Sequence, residues 1–255
     1  MDEAALREDM VDGLEYALDR PIDEQVVAAM RTVPRHEFVA DAPYANREGE
    51  AHGTRILAPA AVARLVEALS PAEGDDTLLV GAGVGYTAAV LAELVGARHV
   101  HAVDIARPAV SAARENLAAA GYDAVLVDRR DGSEGFPEYA PFDRVLVEAS
   151  AVRPPRALVS QLAPDGRLVL PLGRAERTLS AVERADGESR VVAEFGSLAL
   201  APLLVDGEQA GAGTRNRTRR EDREFARQGY FAKTGWEHEW IDWDDRLDGG
   251  RGHHR

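Results

Sequence analysis

Three glycines at alternate positions, Gly81, Gly83 and Gly85, with Ala82 between the first two, follow the apolar run Leu78-Leu79-Val80. A helical pattern from Ala88 to Leu94 comes straight after them. Glycine lets a backbone turn sharply and approach a ligand closely. The start of a helix leaves N–H groups unpaired, and these favour an anionic or carbonyl group. Asp104 ends a second apolar run, His99 to Val103, and is followed by Ile105; it falls 19 residues after Gly85. A carboxylate at the tip of a second strand can accept hydrogen bonds from both ribose hydroxyls of a nucleoside. The same acid is compatible with capping the segment after Ile105. The spacing argues against a dinucleotide, because G-x-G-x-x-G requires glycine where Tyr86 stands.

These residues need a scaffold that brings several strand ends together. Strand, tight turn and helix over 76–94, then the strand ending at Asp104, make a βαβ unit. A helical pattern from Ala109 to Gly121, with Gly121 as its C-cap, leads to a third strand, Ala124 to Val127, and then to Asp131-Gly132. Phe142 to Val147 reads as a buried strand ending at Glu148-Ala149-Ser150, and Pro154 to Leu162 as a helix with proline at its start. Gly166 to Pro171 is a fifth strand, and Thr178–Val182 with Ser189–Ala199 form an antiparallel pair around Asp186-Gly187. An alternating β/α run ending in such a pair predicts a doubly wound α/β fold, mostly parallel, with one antiparallel strand. Two helices precede it, one over 3–18 and one from Asp23 to Pro34. The boundaries expected are 1–60 for the N-terminal helices and a substrate loop, 61–206 for the ligand-binding domain, and 207–255 for a linker and C-terminal extension.

The G-x-G-x-G loop resembles the S-adenosyl-L-methionine (SAM) loop of class I methyltransferases. The phrase Val33-Pro34-Arg35-His36-Glu37-Phe38-Val39 resembles the VPRxxFV signature of protein-L-isoaspartate O-methyltransferases. The likeness runs on through Tyr86 to Ala92, Asp131-Gly132, Ala140 to Asp143 and Leu162 to Gly173, and covers about residues 8–185. It implies a seven-stranded Rossmann-like sheet with SAM held by Gly81, Ala82, Gly83, Gly85, Asp104, Ile105, Asp131 and Gly132, Asp131 holding the adenine amino group. It also implies methylation of the free carboxylate of isoaspartyl residues in damaged protein. That carboxylate has a pKa of about 3.5, so the reaction needs alignment and not a general base.

The resemblance breaks at one loop. The family carries G-x-T-I-S-x-P, whose hydroxyls help hold the substrate. Here the residues are Gly53-Thr54-Arg55-Ile56-Leu57-Ala58-Pro59, with Arg55 at the threonine position and Leu57 at the serine position. Leucine offers no hydrogen bond. Thr54 could supply a substitute hydroxyl if the loop is shifted. Losing one positioning hydrogen bond costs about 1–3 kcal/mol, or roughly 5- to 150-fold in rate. Glu148 stands where the family has a small or hydroxyl residue; it either contacts the substrate or a cation, or caps a helix. Thr54, Leu57 and Glu148 are therefore the candidates for the acceptor side. Another acceptor, a tRNA or a small molecule, and a non-catalytic SAM-binding reader of damaged protein are the alternatives. The Pro154-Pro155 pair lacks the flanking Asn/Asp and aromatic residue of amino-group methylases.

Bulk composition narrows the classes further. The 255-residue chain has a formal net charge of −14, no cysteine and a single lysine, Lys233. Such a surface repels nucleic-acid phosphates and resembles proteins of salt-adapted cytoplasms. No cysteine means no disulfide, thiolate zinc site or cysteine nucleophile, and no stretch suits a membrane span or signal peptide; a cytoplasmic location without metal or membrane partner is expected. Arg215 to Arg227 reads as a salt-bridged helix, and Trp236, Trp240 and Trp243 lie in an aromatic tail expected to pack on the core or a partner.

Overall fold

A computed structural model describes residues 2–185 and 187–204. The expectations for the arginine-rich helix and the aromatic tail lie outside the described residues.

Helix α1 (Glu3–Leu18) starts at Asp2, whose side chain accepts from the Ala4 N–H; α2 (Glu24–Thr32) starts at Asp23, which accepts from Gln25 and Val26. Both caps satisfy helix-start donors that would otherwise be orphaned. Arg35–Glu37 forms one 3₁₀ turn after Pro34. Strands β1 (Gly49–Ala51) and β2 (Thr54–Ile56) pair antiparallel as a hairpin. Its two turn residues, His52 and Gly53, both have positive φ (54° and 72°), as a tight hairpin twist demands. Helix α3 (Pro59–Leu69) follows, with proline in its first turn.

The main sheet then begins with β3 (Thr77–Val80), α4 (Tyr86–Val95), β4 (Val100–Asp104), α5 (Arg107–Ala119), β5 (Leu126–Arg129) and β6 (Phe142–Val147). It closes with α6 (Arg156–Ser160), β7 (Leu162–Leu172), β8 (Thr178–Ala185) and β9 (Glu188–Ser197). The seven strands lie in the order β5-β4-β3-β6-β7-β8-β9. All run parallel except β8, which is antiparallel to both neighbours. One apolar cluster joins α1–α5 to one face of the sheet, and a second lies under α6 on the other. No helix of the described residues is long and apolar enough to cross a membrane.

Several boundaries differ from the periodicity reading, two of them for a reason the bonds show. β5 lies two residues further on than Ala124–Val127, because Val125 closes a turn onto Tyr122 and the pairing with β4 continues to Asp104↔Arg129. Helix α6 stops before Leu162. There Gln161 turns the chain into the sheet: its side chain bonds Phe136 N and Glu134 O, and its carbonyl accepts from Phe142 N.

Chain order reverses beside β3, where β4 and β5 lie to one side and β6 to the other. In open α/β sheets ligands bind outside the carboxyl ends of the strands at such a reversal. Val80 pairs with both Val103 and Val147, so the residues that follow, Gly81, Asp104 and Glu148, come level at that edge.

Candidate active site

The glycine loop is built by backbone bonds to β4. Gly81 N and Ala82 N both donate to Val103 O, at 2.8 and 3.0 Å. Gly81, Gly83 and Gly85 have φ of 96°, 53° and 94°, a region that side chains with a Cβ rarely adopt. Asp104 secures the loop from its other side: Oδ2 accepts from Gly83 N at 3.0 Å and Oδ1 from Ala106 N at 2.9 Å. Burial raises its pKa above the ordinary carboxylate value, and the backbone N–H groups of Ala106, Gly83 and Ile105 oppose that rise. Each oxygen has a second lone pair, so the carboxylate can still accept from a ligand.

A cavity of ≈ 300 Å³ opens at this edge. Its cofactor side is lined by Gly81, Gly83, Val103, Asp104, Ile105, Ala106 and Gly132. Gly132 is close-packed: a Cβ there would sit 2.3 Å from Val80 Cγ1. The far wall is the segment Leu200–Leu204. Ser150 pins that segment, its Oγ donating to Leu200 O at 2.9 Å and its backbone N donating to Ala201 O at 2.7 Å. A larger concavity of ≈ 820 Å³ is lined by Gln25, Glu93 and His99. It lies at the amino ends of β3 and β4, away from the edge where such sheets bind ligands.

The acceptor side combines the β1–β2 hairpin, the 3₁₀ turn and the end of β6. Thr54, Arg55, Leu57, Glu148 and Ala149 line the same cavity. The Thr54 hydroxyl lies 4.0 Å from the position a Cβ on Gly83 would take, directly over the glycine loop. Leu57 is 7% exposed, and its carbonyl accepts from Arg35 Nη2 at 2.7 Å. Arg35 is 1% exposed; its Nε donates to Pro43 O at 2.8 Å. Its guanidinium stacks 4.2 Å over the Tyr86 ring. One buried arginine thus ties the acceptor hairpin to the first residue of α4. Burial lowers its pKa, the Tyr86 and Glu148 groups opposing, yet guanidinium stays charged in any such site.

Glu148 is the titratable group at the junction. Its N–H donates to Val80 O at 2.8 Å, and its Cβ lies 3.3 Å from where a Cβ on Gly81 would be. Burial pushes its carboxyl up to about 7; Thr87 lowers it, Asp104 raises it and Arg35 lowers it. Thr87, in the first turn of α4, hydrogen-bonds the Glu148 side chain, while Oε1 is buried without a hydrogen-bond partner.

Of the residues singled out in the sequence, Gly81, Gly83, Asp104, Ile105, Gly132, Thr54, Leu57 and Glu148 converge on the one cavity. Ala82 lies beneath it with Tyr86 and Thr87. Gly85 serves packing: a Cβ there would be 3.2 Å from Ala113 O and 3.1 Å from Leu117 Cγ on α5. Asp131 is not part of the lining, and its Oδ1 accepts from Ser133 N and Oγ at 2.9 and 2.7 Å. Sequence reasoning missed Gly49 and Glu50, the Leu200–Leu204 wall and Arg35 as a strut. Only the run Val33–Val39 carried a signal for Arg35, and it marked a resemblance without a role for the arginine.

The donor set fits an adenosine-bearing ligand. A strand-end carboxylate with spare lone pairs, a glycine loop that a ligand can approach without meeting a side chain and an apolar cleft are what ribose and adenine need.

The chain matches the family profile described as protein-L-isoaspartate(D-aspartate) O-methyltransferase over residues 9–209. It is 40% identical over 205 residues to a protein-L-isoaspartate O-methyltransferase of Methanosarcina mazei, covering 78% of this chain and 83% of that one. It is 41% identical over 181 residues to the Methanocella arvoryzae protein of the same name, covering 69% and 96%. Among solved structures it shares its fold with one described as a protein-L-isoaspartate O-methyltransferase of Plasmodium falciparum in complex with S-adenosyl-L-homocysteine. The TM-score is 0.68 at 21% identity, covering 78% of this chain and 98% of that one.

Proposed function

This chain belongs to the protein-L-isoaspartate(D-aspartate) O-methyltransferase family, and we infer from that membership and from its strand-end cavity that it is a SAM-dependent enzyme methylating isoaspartyl residues in protein or peptide. The observation that carries the reading is the convergence of Asp104, the glycine loop and the acceptor hairpin on one cavity. When bound, SAM supplies an electrophilic methyl on its sulfonium. Held by Asp104 and the glycine loop, it would give that methyl to the acceptor carboxylate, the carbon–sulfur electron pair staying on sulfur, with S-adenosylhomocysteine and a methyl ester as the products.

The residues of this chain bind and align. Asp104 takes the ribose hydroxyls with its spare lone pairs, and Gly132, Ile105 and the Leu200–Leu204 wall enclose the base. The glycine loop lets the methionine end approach the backbone. The Thr54 hydroxyl, over Gly83, replaces the hydroxyl that Leu57 lacks and orients the acceptor. The apolar wall keeps water from competing with the carboxylate. No base is required, since the acceptor is ionised at neutral pH.

Labelled methyl transfer from SAM to an isoaspartyl peptide, against the same peptide with ordinary aspartate, tests the assignment. Transfer to the isoaspartyl peptide alone is the expected result. SAM binding without transfer to either peptide would overturn it.

A further inference from the structure

A second, much smaller cavity of ≈ 20 Å³ lies behind the main one, lined by Arg35, Arg55, Leu57, Tyr86, Thr87 and Glu148 among others. Three buried polar atoms on residues that line it have no hydrogen-bond partner: Arg35 Nη1, Tyr86 Oη and Glu148 Oε1. Buried polar groups are almost always paired, and each orphan costs about 1–3 kcal/mol. Three around one small space mark a site held ready for a function and not for stability. Arg55, Leu57, Gly83 and Glu148 line both cavities, so this cluster sits against the acceptor side of the site.

We propose that Glu148 is the specificity-determining group for the acceptor: as the neutral acid it donates a hydrogen bond to the acceptor carboxylate and leaves the charge of Arg35 facing it, and as a carboxylate it cancels that charge and repels the acceptor. The inference rests on the isoaspartyl reading. The groups that face Glu148 decide the sign. Asp104 from β4 is a second negative charge, Arg35 from the 3₁₀ turn is positive, and the Thr87 hydroxyl from α4 is neutral. Arg55 from β2 lines the same cavity and pairs with Glu48 at 3.5 Å. Tyr86 from α4 is pushed up to about 12 by burial and stays neutral. With Glu148 neutral, the buried positive charge of Arg35 has no counter-ion there, and an incoming carboxylate supplies one. With Glu148 ionised, the acceptor would be the second carboxylate at one cation beside Asp104. Two carboxylates sharing a site do not both ionise freely.

The acceptor itself titrates far below this range, at about 3.5, so any loss of activity around neutrality belongs to the protein. Since burial pushes the Glu148 carboxyl up to about 7, KM for an isoaspartyl peptide should rise with pH above that point, approaching about tenfold per unit. SAM affinity, set on the other side of the cavity, should not weaken over the same range.

The test is the pH profile of kcat/KM from pH 5.5 to 9, following S-adenosylhomocysteine so that ester hydrolysis does not enter, with SAM affinity by calorimetry at pH 6 and 8. Wild type is compared with Glu148→Gln and Glu148→Thr, whichever binds SAM like wild type serving as the folded variant. The expected result is a falling alkaline limb in wild type, carried by KM, that is absent from the variant whatever its absolute rate. A flat wild-type profile, or the same limb in wild type and variant, overturns the proposal and leaves the isoaspartyl assignment standing. Absence of transfer at every pH, with SAM bound, overturns both.

Discussion

The two sides of the cavity are built on opposite principles. On the cofactor side the polar groups are paired: Asp104 takes two loop N–H groups, and Gly81 N and Ala82 N share Val103 O. On the acceptor side Arg35, Tyr86 and Glu148 each keep a buried atom without a partner. Paired groups fix a geometry, and the cofactor side needs one fixed geometry for one ligand. Unpaired buried groups keep their hydrogen-bonding capacity for a molecule not yet there, at the expense of stability. The family resemblance is tight on the paired side, and this chain departs from it on the other. Its departures, Arg55, Leu57 and Glu148, all lie on the unpaired side.

Several substitutions would break or sharpen that contrast. Arg35→Met should do most harm to the fold. It orphans the carbonyls of Pro43 and Leu57 and should cost about 3–5 kcal/mol in urea unfolding; a loss below 1 kcal/mol would mean the strut is dispensable.

Glu148→Gln should stabilise the protein at alkaline pH. Burial raises the folded-state pKa of Glu148 to about 7 from its ordinary 4.5, so the fold favours the protonated form. Wild type therefore loses stability relative to the variant as pH rises from about 4.5 to 7, by on the order of 3 kcal/mol, with no further change above that. Unfolding at pH 4.5, 6 and 8 measures it, and a pH-independent difference would remove the buried-acid description.

Asp104→Asn should act on the ligand more than on the chain. Calorimetry should show SAM affinity lower by about 10- to 100-fold, since a charge-assisted acceptor is worth about 1.5–3 kcal/mol. An unchanged affinity would take Asp104 out of the ribose site. Thr54→Val, which keeps the shape, should have the smallest effect. A loss of about tenfold in kcat/KM for isoaspartyl peptide with SAM affinity unchanged is expected; equal losses in both would place the hydroxyl on the cofactor side.

Much of the fold is legible in the residues themselves. Strand, glycine loop and helix over 77–95 follow from local signals, as do β4 ending at Asp104 and the reversed β8. Legibility fell where structure came from distant partners. β1 and β2 have three residues each, too few to show a period, and exist because they pair. α3 was passed over although its apolar face is largely buried. The Leu200–Leu204 segment has no regular pattern, and Ser150, 50 residues earlier, holds it in place. Asp131, which the resemblance has holding adenine, caps the turn that begins at Gly132 through Oδ1, a bond of which the sequence gives no sign.

By itself, then, the chain of residues determined the α/β order, the nucleoside-type loop and the acid at its second strand tip. Those depend on backbone preferences and on hydrophobic period, which are local. Only the tertiary structure decided that Arg35, Tyr86, Thr87 and Glu148 enclose one space, and that the hydroxyl over the glycine loop is that of Thr54. Charge and hydrogen-bond capacity can be read from a residue's type. Whether they are spent on the fold or kept for a ligand depends on which neighbours the other strands and turns bring within about 3 Å.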